Sequence, residues 1–246
     1  MLSFLKKKTT PLTNIFPSNF MDIHNHLIPE IDDGAKTLND SVELIKRMYS
    51  YGIKNFMCTP HIMGGVYDNT PEIINQKLNE LQAHLKTIGL NDIQIKVAAE
   101  YMLDDQFESL LKEKKLLTLK NNLVLVELSY HSAPINLYEQ LFNIQIAGYQ
   151  PVLAHPERYS FFHNHYKEYK KLKEVGCLFQ LNLLSLSNYY GTGVHAVALK
   201  LLNDSLIDFV GSDTHHHKHL NALENINNPK IIKLISPILK KNEFFI

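Results

Sequence analysis

The chain lacks the features that would tie it to nucleic acid, to a bilayer or to an oxidising compartment. Lysine plus arginine equals aspartate plus glutamate, 25 of each over 246 residues, so no basic field gathers a polyanion and there is no acidic tail. No run of about 18 apolar residues exists to span a membrane. The opening MLSFLKKKTTPLTNIFPSNF puts a few apolar residues before three lysines and no apolar stretch after them, the wrong order for a secretory signal. Residues 1–19 read as a solvated N-terminal arm, with a weak membrane-surface contact through Leu2, Phe4, Leu5 and Lys6 to Lys8 left open. The two cysteines, Cys58 and Cys177, make no CxxC pair and no disulfide framework, which suits a reducing, cytoplasmic setting. Arginine is scarce: Arg47 and Arg158 are the only two.

What is present is a long alternation of two periodicities. Short β-branched runs at 19–23, 53–59, 93–100, 122–128, 150–155, 177–183 and 206–213 read as strands. Between them, amphipathic stretches at 39–51, 70–89, 104–114, 136–147, 165–175 and 193–203 read as helices, and a last helical region follows. On the first helix Val42, Ile45, Met48 and Tyr49 share a face. About seven β–α units in one alternation predict an α/β fold with a mostly parallel sheet. At roughly 30 residues per unit, a closed or nearly closed barrel is favoured over an open doubly wound sheet. No GxGxxG or GxxxxGK[ST] follows any strand, so dinucleotide and P-loop readings lose their fingerprints.

The chemistry gathers where these strands end. In DIHNHLIPEIDDG, His24 and His26 lie two apart and so point to one face, a spacing at which two imidazoles chelate one metal. CTPH ends the second strand at His61, AAEY the third at Glu100, and VELSY the fourth at Glu127. LAHPERY brings His155, and VGSDTHH brings Asp213 and His215. Only the sixth strand delivers no His, Asp or Glu. The C-terminal rim of the strands is where barrel enzymes build their sites. Arg158, three residues after His155, can fork two hydrogen bonds onto a phosphate, or else pair on the surface with Glu157 or Glu168. Cysteine-based dephosphorylation is disfavoured because CxxxxxR is absent: position 64 is glycine and position 183 leucine.

The ordered set DIHNH, IDDG, TPH, AEY, VEL, AHPERY and SDTH, from about Phe20 to His219, resembles the PHP superfamily of polymerase and histidinol phosphatase domains. Within it the chain is similar to bacterial tyrosine-protein phosphatases that work with capsular and exopolysaccharide tyrosine kinases. The resemblance implies a distorted TIM-like (β/α)7 barrel over 20–246 holding three divalent metal ions, with manganese the family's metal. It implies His24, His26, Glu100 and Asp213 around the first ion; Glu100 again, with Glu127 and His155, around the second; and Asp33, His61 and His215 around the third. Asp33 is chosen over Asp32 by the family's spacing, and Asp32 on its own residues reads as a turn residue before Gly34. Imidazole and carboxylate donors without thiolate suit Mn, Fe or Zn better than Ca, and Mg stays open. Three divalent ions against four carboxylates leave a positive site, suited to a phosphate dianion and to acidifying water.

Relatives commonly carry a second phosphate-binding arginine after the last metal histidine, where this chain has HHKHL. Lys218 and His219 are the candidates to take its place. The expected activity is therefore hydrolysis of phosphotyrosine on a protein, with a bacterial tyrosine kinase tail as the expected partner. A small-molecule phosphatase of the histidinol-phosphate type, and a non-catalytic module that binds a kinase, are the alternatives.

Overall fold

The computed structural model describes residues 9–246, so the arm residues Leu2 to Lys8 lie outside it. The described chain runs β1 (Met21–Asp22), α1 (Leu38–Ser50), β2 (Asn55–Cys58), β3 (His61–Ile62), α2 (Pro71–Thr87), β4 (Gln94–Val97), β5 (Glu100–Met102), α3 (Asp105–Glu113) and β6 (Leu123–Glu127). It continues with α4 (Leu137–Ile146), β7 (Gln150–Ala154), α5 (Ser160–His163), α6 (Lys167–Glu174), β8 (Leu178–Asn182), α7 (Thr192–Asn203), β9 (Phe209–Gly211), α8 (His217–Glu224) and α9 (Pro229–Lys241). No helix among the described residues is long and apolar enough to cross a membrane. Leu12 is buried, and its N–H donates to Ile226 O at 2.7 Å.

Helix starts follow local chemistry. Thr37 accepts from the Asp40 N–H, Thr70 from the Ile73 N–H ahead of Pro71, and Asp104 from the Phe107 N–H, each satisfying a donor the helix itself leaves open. On α1, Val42, Ile45 and Met48 are buried, and Leu44 with them, while Tyr49 sits at the edge with its hydroxyl on Asp92.

Every strand pair is parallel, in the orders β1-β2-β4 and β3-β5-β6-β7-β8-β9. The run 93–100, expected as one strand, is two: β4 and β5, parted at Ala98-Ala99. Its neighbour breaks likewise at Thr59-Pro60, where proline has no N–H to offer a ladder. The Ala98 N–H to Cys58 O bond (2.9 Å) and the Glu100 N–H to Pro60 O bond (3.1 Å) carry the pairing across both breaks. The sheet curls at these bends, and its outer strands approach each other beyond their ends. The Asp213 N–H donates to His24 O at 2.7 Å, the His26 N–H to Thr214 O at 3.0 Å, and Asn25 bridges Thr214.

Two apolar groups hold this arrangement. The larger lies between strands and helices. The smaller joins Met21, Met57, Ala98, Leu125 and Val152 with Phe245, from the 3-10 turn after α9, and takes no residue from α1 to α9, so it fills the concave side. Period two then assigns the site: Met57 leads to His61, Ala98 to Glu100, Leu125 to Glu127, Leu178 to Gln180 and Asn182, and Phe209 to Asp213. These five columns of apolar side chains end in polar ones at the C-terminal rim, whereas His24, His26 and His155 have the other parity from Met21, Ile23, Val152 and Ala154.

Candidate metal centre

His24 and His26 are wholly buried, and so is Glu100 but for 1%. Gln180 sets the first imidazole. Its Nε2 donates to Leu181 O at 2.7 Å, which orients the amide so that its Oε1 accepts from His24 Nδ1 at 2.7 Å. Asp32 sets the second, taking His26 Nδ1 on Oδ2 at 2.8 Å while accepting also from the Gly34 and His61 N–H groups. His215 Nδ1 reaches Asp213 O at 2.9 Å. In all three residues one ring nitrogen is committed outward, and the other turns a lone pair into the cleft, the arrangement that metal-binding histidines adopt.

Those inward nitrogens meet oxygens that have no proton to give. His24 Nε2 lies 3.0 Å from Glu100 Oε2 and 3.4 Å from Asp213 Oδ1. His26 Nε2 lies 3.4 Å from each of the same oxygens and 3.4 Å from His24 Nε2. Metal bonds of about 2.0–2.1 Å in a tetrahedron put donor atoms roughly 3.3 Å apart, so His24, His26 and Asp213 fit one ion, with Glu100 against both imidazoles. Without an ion, protons must fill the gaps. Burial opposes charge on both imidazoles, but Glu100 and Asp213 beside His24, and Asp32 beside His26, outweigh it and raise both pKa values. The same pairings hold Glu100 and Asp213 well below the carboxylate range, although burial pushes the other way.

A second trio is looser and nearer to water. Asp33 Oδ1 stands 3.3 Å from His215 Nε2 and 3.5 Å from His61 Nε2, with half its side chain exposed. The other nitrogen of His61 is 2.8 Å from Glu127 Oε1 and 3.3 Å from Glu100 Oε2. The 2.8 Å pair lacks hydrogen-bond alignment: both atoms are buried and unpartnered. Burial would lower the His61 pKa, yet Glu100 and Glu127 hold it up at about 9. Burial and the charge on Glu100 raise that of Glu127. His155 Nε2 lies 2.9 Å from Glu100 Oε1, and its Nδ1 is buried without a partner. Burial and the adjacent Arg158 press His155 down to about 4, so it stays neutral.

All nine predicted donors therefore fall in four groups that overlap at His24, His26, His61 and Glu100. The grouping differs from the expectation: His26 closes on Asp33, His61 and His215, Glu100 falls outside the group of His24, His26 and Asp213, and Glu127 closes on His61 while His155 closes on His24. Backbone strain marks the spot: His155 and Asp213, neither a glycine, hold φ of +34° and +50°. Glycine is required at Gly34 and Gly211, where a Cβ would stand 2.2 Å from His26 O and 2.4 Å from His24 Cβ.

A cleft of about 370 Å³ opens over this nest. Arg158 lines it, with Nη1 on Asp213 Oδ2 at 2.9 Å and its guanidinium between Tyr130 and Tyr190, 4.8 and 4.2 Å from the ring centroids. Neither Glu157 nor Glu168 pairs with it: Glu157 is buried against Ser185 and the Asn182 N–H, and Glu168 holds Lys171 and Tyr138. Lys218 is exposed and does not line the cleft. His219 lines it, but burial drives its pKa to about 3, so it offers no positive charge. Arg47 lies on the surface against Glu224 and Asn221. Both cysteines are free and buried, and burial pushes the Cys177 thiol up to about 12 and Cys58 higher still.

Reading the sequence for His, Asp and Glu alone missed several contributors. β8, the sixth strand expected from the sequence, supplies Gln180 behind His24, and Asn182, whose Nδ2 donates to Asp213 Oδ2 at 2.7 Å. Their signal was two amides alternating with apolar residues in FQLNL. Asp32 is more than a turn residue, because it orients His26. Met63, Tyr67 and Met102 line the cleft without any charge to announce them.

Comparison with known proteins agrees with this geometry. The family model for capsular polysaccharide synthesis, CpsB/CapC, matches residues 20–241. Tyrosine-protein phosphatase YwqE of Bacillus subtilis (strain 168) is 32% identical over 204 residues, 82% of this chain and 79% of its own. Tyrosine-protein phosphatase CpsB of Streptococcus agalactiae is 32% identical over 203 residues, 80% of this chain and 83% of its own. A solved structure from work on YwqE of Bacillus subtilis and CpsB of Streptococcus pneumoniae, described as unique metal-dependent tyrosine phosphatases, superposes with a TM-score of 0.75 at 29% identity, covering 90% of this chain and 94% of that one. On the family match and these relatives, the chain belongs to the CpsB/CapC family of capsular polysaccharide synthesis.

Proposed function

We propose that this protein is a metal-dependent tyrosine-protein phosphatase of capsule or exopolysaccharide synthesis. The observation that carries the reading is the pair of inward nitrogens on His24 and His26, facing Glu100 and Asp213 with Arg158 alongside. The names of the relatives agree with it. The fold is read as a (β/α)7 barrel over 20–246, preceded by the arm, and the sequential strand order and the contacts of 213–214 with 24–26 support that. Three ions, manganese first among the candidates, are assigned to His24, His26, Glu100 and Asp213; to Glu100, Glu127 and His155; and to Asp33, His61 and His215. Bound there, divalent ions supply positive charge to phosphate oxygens and acidify water.

The chain's own residues do the rest. Arg158 is charged whatever the pH, and one of its donors is spent on Asp213, leaving the others for phosphate oxygens. The two tyrosine rings fix its plane, so little freedom is lost when phosphate binds. Asn182 and Arg158 both donate to Asp213 Oδ2, which leaves Oδ1 for the cluster. A tyrosine leaving group, with a pKa of about 10, departs with less help from an acid than a serine alkoxide needs. The substrate in the cell is proposed to be phosphotyrosine on a bacterial tyrosine kinase, and the buried, reduced cysteines support a cytoplasmic setting. Rates on a phosphotyrosine peptide, its phosphoserine counterpart and histidinol phosphate decide the substrate. The expected kcat/KM is at least tenfold higher on phosphotyrosine, and a preference for histidinol phosphate would overturn the assignment.

A further inference from the structure

The wall of the cleft away from Arg158 has a character of its own. Met63 and Tyr67 come from a hairpin that follows β3, and Met102 ends β5. All three are partly exposed at the rim of a cleft whose other lining is imidazole, carboxylate, Arg158 and the Tyr130 and Tyr190 rings that flank it. The hairpin is tightly tied. The Met63 N–H donates to Tyr67 O at 3.1 Å, and the Tyr67 N–H returns to Met63 O at 2.8 Å. Two side chains brace its turn, Asp104 Oδ2 on the Gly64 N–H (2.9 Å) and Asp68 Oδ1 on the Gly65 N–H (2.7 Å). The Tyr67 ring stacks on His61 at 5.4 Å with the planes 12° apart, so it stands fixed beside the cluster. At the turn, Val66 is 62% exposed. For apolar side chains left open to water, rigidly mounted over a charged floor, free energy falls when another apolar group covers them.

Resting on the phosphatase reading, we infer that Met63, Tyr67 and Met102 form a subsite for the aromatic ring of the phosphate ester, opposite the Arg158 anchor. A ring seated there gains stacking on Tyr67 and thioether contact with the two methionines. The floor donors lie below the surface, at 0–2% exposure for His24, His26, Glu100 and Asp213, so the phosphorus must be carried down past these walls. A phosphotyrosine does this with its ring, whereas a phosphoserine must bring its main chain into a cleft of about 370 Å³, near the lower end of small-ligand sites. Selection thus comes from ring-length reach and from ring contact, and it needs no charge on the substrate beyond the phosphate.

Calorimetric binding of phenylphosphonate and methylphosphonate to manganese-loaded protein tests the subsite apart from turnover. In the wild type, phenylphosphonate is expected to bind at least tenfold tighter than methylphosphonate. Tyr67→Ala and Met63→Ala/Met102→Ala should each reduce that ratio at least threefold, and Tyr67→Phe should restore it, since the ring face rather than the hydroxyl acts. Metal content per chain is measured alongside, because Tyr67 touches His61; the ratio is taken only on variants that hold wild-type metal, with Tyr67→Leu in reserve. An unchanged ratio in the variants, or equal affinity for both phosphonates in the wild type, would overturn the subsite. Ring-selective binding without hydrolysis of any phosphotyrosine peptide would sink the phosphatase reading and leave the subsite standing.

Discussion

A histidine in this protein is defined by what holds its other nitrogen. Gln180 behind His24 and Asp32 behind His26 decide which ring atom is free, and such partners typically govern 10–100-fold in metal affinity. Gln180→Leu and Asp32→Asn should each weaken metal binding by about that much, measured by competition with a chelator of known affinity. Protonation gives a second handle. In the metal-free protein, Glu100 and Glu127 keep the His61 pKa at about 9 against the pull of burial. His61 is therefore protonated at pH 7, and an ion that uses its nitrogen must displace that proton. Metal uptake at neutral pH should release at least one proton, and affinity should rise with pH up to about 9. Calorimetry in buffers of different ionisation enthalpy reads the proton count directly, and a count of zero would contradict the assignment of His61. The donor types at the strand ends were legible in the sequence because His, Asp and Glu are costly to bury without a task. The orienting amides were not, since Gln180 and Asn182 look like any polar residue in a strand until their partners are in view.

At the level of elements, the site is as precise as the turns that carry it. Gly34 lets the DDG turn fold against His26, and an added Cβ would lie 2.2 Å from His26 O. Gly34→Ala should cost about 1–3 kcal/mol, the usual range for overpacking a tight site, and should lower metal affinity because His26 must move. Urea unfolding and metal titration check the two effects separately. Asp104 has two tasks, receiving the Phe107 N–H at the start of α3 and the Gly64 N–H in the hairpin. Asp104→Ala should cost about 1 kcal/mol for the cap alone, and more if the hairpin loosens, again read by urea. The strand and helix runs were legible from periodicity, and each expected element has its counterpart. The break at Ala98-Ala99 was not, because a bend within an apolar strand leaves the alternation of residues intact, and the second strand, expected to end at Thr59, resumes after Pro60 as β3. Both breaks matter all the same, since each lets its strand turn from one sheet into the other.

Across the whole molecule, three separate stretches of chain bring imidazoles to one carboxylate. Glu100 faces His24, His26, His61 and His155, and no other candidate donor meets four imidazoles. Its removal should therefore dismantle the centre more completely than removal of any peripheral group. The direct measurement is phosphate release from a phosphotyrosine peptide by metal-stripped protein, before and after Mn, Zn or Mg is restored, with Glu100→Gln run in parallel and metal content recorded. The account predicts no turnover when stripped, recovery with a restored ion, and a loss of at least a thousandfold in Glu100→Gln, about 4 kcal/mol of transition-state stabilisation. Full activity in the stripped protein, or wild-type rates from Glu100→Gln, would contradict it.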